Sequence, residues 1–293
     1  MKAIIFGANG QDGYYLSQLL KQKNIEVLEV SRSGNMLRID ITNYEAIKQF
    51  IEQEQPTYIF HLAANSTTRH DALFENHATI STGTLNILEA VKTQSPHTKV
   101  FISGSGLQFV NKEAPIKETD EFEARDAYSI ARIQSAYAAR YYRSLGIKTY
   151  VGYFFNHDSP RRTKRHVAQM IAADVLAIAN GENRIIEIGD PTVKKEWTYA
   201  GDVVKAIWTL VQQDAIFEAT LGSGIGFSIQ DYIEACFKFI GKDWKPYLVI
   251  KSGFKSEYRQ LVSNPETIHN LGWQPQVNFE QLVTMMLTQP QDA

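Results

Sequence analysis

Apolar residues in the first half of the chain fall into short runs separated by amphipathic stretches. Lys2–Phe6, with its unbroken Ala3-Ile4-Ile5-Phe6, reads as a buried strand, and Gly7–Gly13 as a glycine-punctuated turn. Tyr14–Lys23 then places Tyr15, Leu16, Leu19 and Leu20 at helical spacing, and Ile25–Val30 reads as a second strand. The alternation continues with a helix over Tyr44–Gln53, a strand over Tyr58–Leu62 and a helix over Thr82–Lys92. A strand over Lys99–Ser103, a long helix over Tyr128–Leu145 and a strand over Ile147–Phe155 complete this half. Strands separated by helices predict an α/β fold, a doubly wound parallel sheet with right-handed crossovers and helices on both faces.

The second half is less regular. Val167–Asn180, Asp202–Gln212, Ile229–Ile240 and Phe279–Leu287 carry helical periodicity. Short strands and turns are expected at Arg184–Ile188, Gly222–Gly226 and Tyr247–Ile250. This pattern predicts a smaller mixed α/β C-terminal lobe over residues 166–293, behind a doubly wound first domain over residues 1–165. The boundary is approximate, and the chain is free to cross between lobes. Gln289–Ala293 is expected to fray.

Composition narrows the class. Against 32 acidic residues stand 30 Lys and Arg, a formal charge of −2, which argues against a nucleic-acid partner. No run of about 20 apolar residues exists to cross a membrane. Met1-Lys2 leads straight into the first strand, too short for a signal-peptide core, so a cytoplasmic location is expected. Cys236 is the single cysteine, which excludes an intrachain disulfide and a cysteine-based zinc site. The histidines (His61, His70, His77, His97, His157, His166 and His269) are dispersed, without metal-ligand spacing.

Gly7-Ala8-Asn9-Gly10-Gln11-Asp12-Gly13 follows the first strand and opens the first helix, with glycines at spacing three and three. A phosphate-binding turn asks for this: one glycine for the sharp bend, another for close approach to a pyrophosphate, a third for helix–strand packing. The helix N-terminus then offers free N–H groups and a positive dipole end to the diphosphate. The context predicts a Rossmann-like dinucleotide site. Past the second strand, Val30-Ser31-Arg32-Ser33 has no acid at its tip, and Arg32 can pair with a 2′-phosphate, so NADP is expected over NAD. Asp40 and Ile41 are expected beside the adenine, and Leu62-Ala63-Ala64 supplies small residues for a cofactor-lining turn.

Tyr128 and Arg132 stand four apart at the start of the long helix, so phenol and cation share one face and can both reach the nicotinamide ribose. A neighbouring cation lowers a phenol's pKa from its ordinary value near 10. Ser103-Gly104-Ser105, just past a strand end, can supply a hydroxyl to the same substrate oxygen.

In these features the chain resembles the extended short-chain dehydrogenase/reductase family, and its GDP-mannose 4,6-dehydratase branch most closely. Gly10-Gln11-Asp12-Gly13 is one marker of that branch, and Phe154-Phe155-Asn156-His157-Asp158-Ser159-Pro160-Arg161-Arg162 the more specific one. Lys195-Glu196-Trp197 with Asp202, and Leu271-Gly272-Trp273-Gln274-Pro275, are weaker echoes. The resemblance runs from about Lys2 to Leu287. It implies Tyr128 as active-site acid/base, with Arg132 beside it, and Ser105 at the family's Ser/Thr position. It also implies Asn156, Arg161, Arg162, Lys195 and Arg259 around a nucleotide-diphosphate sugar, GDP-linked by overall likeness.

The chain departs from the family at three positions. Arg132 stands where the family has lysine four residues after the tyrosine; it keeps the charge but cannot give up its proton. Leu107 occupies the slot of the dehydratase acid, two residues after Ser105, and can be neither the base nor the acid that elimination needs. Val262 stands where the family holds the nucleoside ribose with an acidic residue. Three outcomes follow: a dehydratase that uses bound NADP to oxidise its sugar at C4, an epimerase, ketoreductase or 4-dehydrogenase that needs no elimination pair, or a binding protein that has lost turnover. Family members pair through two long helices, so a homodimer is expected through Thr82–Lys92 and Tyr128–Leu145. Ile133, Tyr137, Tyr141 and Leu145 would form its stripe, unless that stripe faces the sheet.

Overall fold

In the computed structural model, residues 1–289 are described. The expected frayed tail over Gln289–Ala293 lies, beyond Gln289, outside the described residues. The first half alternates β1 (Lys2–Phe6), α1 (Gln11–Gln22), β2 (Glu26–Val30), α2 (Tyr44–Glu54), β3 (Tyr58–His61), α3 (Leu73–Asn76), α4 (Gly83–Gln94), β4 (Lys99–Ser105), α5 (Ala127–Ser144) and β5 (Thr149–Phe154). Then follow β6 (His157–Asp158), α6 (Val167–Ala179), β7 (Ile186–Ile188), β8 (Lys194–Glu196), β9 (Thr198–Tyr199) and α7 (Ala200–Val211). Last come β10 (Glu218–Leu221), β11 (Gly226–Ser228), α8 (Ile229–Phe239), β12 (Leu248–Ile250), β13 (Gln260–Leu261), α9 (Glu266–Asn270) and α10 (Phe279–Thr288).

The main sheet has six parallel strands in the order β10-β5-β4-β3-β1-β2. Strand side chains alternate between faces, and here both faces are covered. Ile4, Phe6, Ile59, Val100 and Ile102 pack with Ile47, Ile51, Leu88 and Ala136 of α2, α4 and α5. Their neighbours Ala3, Ile5, Phe60, Phe101 and Tyr150 pack on the other side with Leu16, Leu20, Val203 and Ile207 of α1 and α7. That double coverage is why the strands read as continuous apolar runs.

Two local differences from the sequence expectation bear on the site. Helix α1 begins at Gln11, inside the glycine turn, because Gly10 already adopts the extended N-cap conformation. The helix expected at Thr82 is preceded by a helical run from His70, whose His77–Thr82 part is a π-helix. Its apolar residues (Ala72, Leu73, Phe74, Ala78 and Ile80) form no continuous 3.6-residue stripe, so the sequence carries too weak a periodicity to be read.

The smaller lobe has its own core, where Ile171, Val175, Ile233, Phe237 and Leu282 of α6, α8 and α10 meet. Trp197 stacks on Tyr232 at 4.2 Å and Phe227 on Phe279 at 4.1 Å. The chain crosses between lobes: α7 packs on the main sheet and β10 pairs with β5 at its edge, so residues 200–221 return to the first layer. Asp202 ties the two together, its Oδ2 accepting from the backbone N–H groups of Gln276 and Val277 at 2.8 Å each. Glu196, fully buried, accepts from Ser263 N and Oγ at 2.6 Å each and from Ser223 N, so it braces the β8–β13 corner. Burial raises its pKa, and these donors oppose the rise.

Candidate active site

The strand order reverses at β1, because β2 lies on one side of it and β3 on the other. Ligands of open α/β sheets sit at the carboxyl ends of the strands at such a reversal. Gly7, with φ of +89°, follows β1 there, and a Cβ on it would lie 2.6 Å from Ala63 N. A Cβ on Gly13 would lie 2.5 Å from Ala8 Cα and from Gly7 O. Both positions are therefore open to glycine alone. No side chain caps the N-terminus of α1 at Gly10, so its first N–H groups remain available to an anion. A dinucleotide diphosphate fits this cradle.

Above it opens a cleft of about 380 Å³. Its lining includes Gly7, Gly10, Gln11, Asp12, Gly13, Leu62 and Ala64 from the dinucleotide side and Ser105, Leu107, Tyr128 and Arg132 from β4 and α5. Asn156, His157, Arg161, Arg162, Arg165 and His166 line the side toward the smaller lobe. Asp12 is the only carboxylate among the described lining residues.

Helix α5 starts sharply because Asp126 accepts from the N–H groups of Tyr128 and Ser129 at 2.8 Å each. This cap fixes Tyr128 in the first turn, and Arg132 one turn later on the same face. The Arg132 guanidinium lies 4.9 Å from the Tyr128 ring centroid. Its Nη1 donates to Ser103 Oγ at 2.7 Å and also to the Ser103 carbonyl. The arginine is buried, so its charge acts in a poorly solvated place. Ser105 ends β4, with its Oγ accepting from Leu107 N at 3.2 Å. Leu107 packs against the core as a partly buried apolar residue.

A buried strut joins the glycine turn to the marker segment after β5. His157 Nε2 meets Asp12 Oδ1 at 2.8 Å, and its Nδ1 meets the Phe155 carbonyl at 2.8 Å. Ser159 Oγ donates to Gln11 Oε1 at 2.7 Å. Burial alone would raise the Asp12 carboxyl, but the facing imidazole overrides it and holds the group at about 2. Burial would likewise lower His157, yet Asp12 carries it above its ordinary 6.5. Arg161 lies over the Tyr14 ring at 3.8 Å, and Arg162 Nε sits 3.5 Å from Asp158. His166 is pushed down to about 4 by burial and by Arg162, so it stays neutral at pH 7.

The remaining expected site residues lie outside the lining. Asn9 donates to Ser33 Oγ at 2.9 Å and so ties the turn to the Arg32 loop. Arg32 pairs with Glu75 at 3.0 Å. Asp40 is exposed and accepts from Thr42 Oγ1 at 2.7 Å, while Ile41 is buried against Gly83. Ala63 contributes backbone beside Gly7. Lys195 is buried over the Trp197 ring at 4.7 Å, and burial lowers its pKa to about 8. Arg259 is exposed, with its N–H held by Glu113 at 3.1 Å; its neighbour Tyr258 lines the cleft instead. Val262 is buried against Gly226. Sequence reasoning left Ser103 without its part in seating Arg132, and gave His157 no partner. Neither carried a local signal, because each acts through a residue distant in the chain.

A sequence profile of the GDP-mannose 4,6 dehydratase family matches residues 4–286. The chain belongs to that family. It is 28% identical over 318 residues to GDP-mannose 4,6 dehydratase 2 of Arabidopsis thaliana, covering 97% of this chain and 85% of that one. Among solved structures it resembles dTDP-glucose 4,6-dehydratase of Bacillus anthracis in complex with NAD, with TM-score 0.86, 18% identity, and 98% and 95% of the two chains covered. It also resembles RMD of Pseudomonas aeruginosa complexed with NADPH, with TM-score 0.85, 21% identity, and 98% and 96% covered. These likenesses fix the fold as Rossmann-like, and the family is one of NAD(P)-dependent nucleotide-sugar enzymes.

Proposed function

We propose that this protein oxidises a GDP-linked hexose at C4, with NADP as hydride acceptor, and that its reaction does not proceed to 4,6-elimination. The observation that carries this reading is the lining of the cleft. Ser105, Tyr128 and a seated Arg132 face the glycine cradle, and the only carboxylate among the described lining residues, Asp12, is committed to His157. Elimination needs a base for the C5 proton and an acid for the departing hydroxyl. Leu107 offers neither. A 4-keto sugar that is released, or reduced on the opposite face, needs only groups that are present. The GDP-linked substrate is supported by the family and by the relatives' names.

Bound NADP would supply the hydride-accepting ring, held by Gly7, Gly10 and Gly13 with Arg32 toward its 2′-phosphate. Tyr128 takes the C4 hydroxyl proton onto its phenolate oxygen as C4 becomes a carbonyl. Ser105 donates a hydrogen bond to the same oxygen. Arg132 holds positive charge beside the phenol and, kept by Ser103, does not relay a proton. Asn156, Arg161 and Arg162 orient the diphosphate, for which forked guanidinium donors are suited. Lys195 and Arg259 would support that anion from outside the lining.

The test is to incubate the purified protein with NADP and GDP-mannose and identify the sugar by NMR. A 4-keto or C4-inverted sugar with C6 still hydroxylated bears the proposal out. A 4-keto-6-deoxy sugar, or no reaction, overturns it. The proposed molecule is a homodimer, supported by the 45–60% exposure of Tyr137, Tyr141 and Leu145 from the expected stripe and of Leu85 on α4, beside a half-buried Ile133. Light scattering should give twice the chain mass, and a monomer for Tyr137→Glu with Tyr141→Glu.

A further inference from the structure

Cofactor choice in a doubly wound sheet is read beside the adenosine ribose, at the carboxyl end of the second strand. Here β2 ends at Val30, and Ser31, Arg32 and Ser33 follow with no acid among them. The fold brings one in from elsewhere. Glu75, on α3, accepts from Arg32 Nη2 at 3.0 Å through Oε1 and from Asn65 Nδ2 at 2.9 Å through Oε2. The Arg32 loop is fastened above the phosphate turn, where Asn9 donates to Ser33 Oγ at 2.9 Å and Ser31 N to the Leu37 carbonyl at 3.0 Å. α3 is fastened too, since the buried Asn76 donates to the Thr67 carbonyl at 2.9 Å. Cation and carboxylate thus stand side by side at the ribose position. Their side chains are 70% and 45% exposed, and an ion pair so exposed is weak enough for a ligand to open.

We propose that Glu75 is a specificity-determining residue of the dinucleotide site, supplying from α3 the carboxylate that β2 lacks. It accepts a hydrogen bond from the ribose hydroxyls of NAD and opposes the 2′-phosphate of NADP that Arg32 attracts. The site therefore takes both cofactors, with a narrow margin between them. This rests on the reading of the cleft as a nicotinamide-dinucleotide site. A like charge a few ångströms from the phosphate, at a dielectric between those of surface and water, is worth about a tenfold change in affinity.

The experiment is calorimetric titration of the full chain with NADPH and with NADH, for the unaltered protein, Glu75→Gln and Arg32→Ala. Glutamine keeps a partner for Asn65 and for a ribose hydroxyl but removes the charge. The expected result is that Glu75→Gln tightens NADPH about tenfold and moves NADH less than threefold, while Arg32→Ala weakens NADPH by a similar factor. Equal shifts for both cofactors, or none, in Glu75→Gln overturn the assignment of Glu75 while the dinucleotide site stands. If the unaltered protein binds neither, the dinucleotide reading falls and this proposal with it.

Discussion

The glycine turn after β1 and the wall formed by β4 and α5 face each other across one cleft, yet they tolerate change very differently. At the turn, recognition is done by backbone, and an added Cβ at Gly7 or Gly13 would meet other backbone atoms at 2.5–2.6 Å. Neither glycine can be exchanged without moving the backbone around it. At the wall, recognition is done by side chains. Arg132 stands in place of the family's lysine, where Ser103 accepts from its Nη1 through both carbonyl and hydroxyl, and the Tyr128 ring offers a face to the guanidinium. Leu107 simply joins the core. A site built on backbone keeps its chemistry as long as the fold persists, whereas one built on side chains can be retuned residue by residue within an unchanged frame.

Substitutions can break that contrast. The largest effect is expected at the wall: Tyr128→Phe should lower the rate of C4 oxidation about a thousandfold while NADPH affinity stays within a few fold, measured by single-turnover absorbance and calorimetry. At the turn, Gly7→Ala should act on fold and binding together. It should destabilise by about 3 kcal/mol in denaturant unfolding and weaken dinucleotide binding at least tenfold. A Gly7→Ala protein of unaltered stability would remove the steric argument. Arg132→Lys should reduce turnover about tenfold, because lysine is a shorter-reaching point charge that loses the planar contact with Tyr128. A gain in turnover would instead mark Arg132 as a lesion.

The smallest expected effect concerns the strut that joins the two regions. His157, raised above 6.5, stabilises the fold fully below that pH and gives the contribution up as pH climbs through its folded value. Asp12, held at about 2 against an ordinary 3.8, contributes above 3.8 and loses it as pH falls toward 2. The pair is therefore strongest between those ordinary values. The melting temperature should fall by a few degrees more between pH 6 and pH 9 in the unaltered protein than in His157→Gln.

The same division explains what could be read without coordinates. Strands β1 to β5 and their helices were legible because each is covered on both faces and so spelled as an apolar run or a 3.6-residue stripe. The glycine turn was legible because sterics leave one residue type at its positions. Helix α3 and the π-helical segment were not, since buried polar residues (Asn76, Thr79, Ser81) and an exposed Phe74 break the usual match between apolar spacing and burial. Tyr128 and Arg132 could be placed together by helical spacing, but the seat on Ser103 could not, as it spans 29 residues. Glu196 and Asp202 stood out as motif residues and are structural ties, whose backbone N–H donors lie 27 to 75 residues away.

The return of residues 200–221 to the edge of the main sheet has a further consequence. Because β10 is hydrogen-bonded to β5 and Val203, Ile207 and Leu210 of α7 cover one face of the main sheet, the N-terminal part of the polypeptide does not own a complete hydrophobic interior. Cassette exchange at residue 165, grafting another relative's C-terminal portion onto this N-terminal one, would have to supply both an edge strand that pairs with β5 and a helix that fits the exposed face of the main sheet.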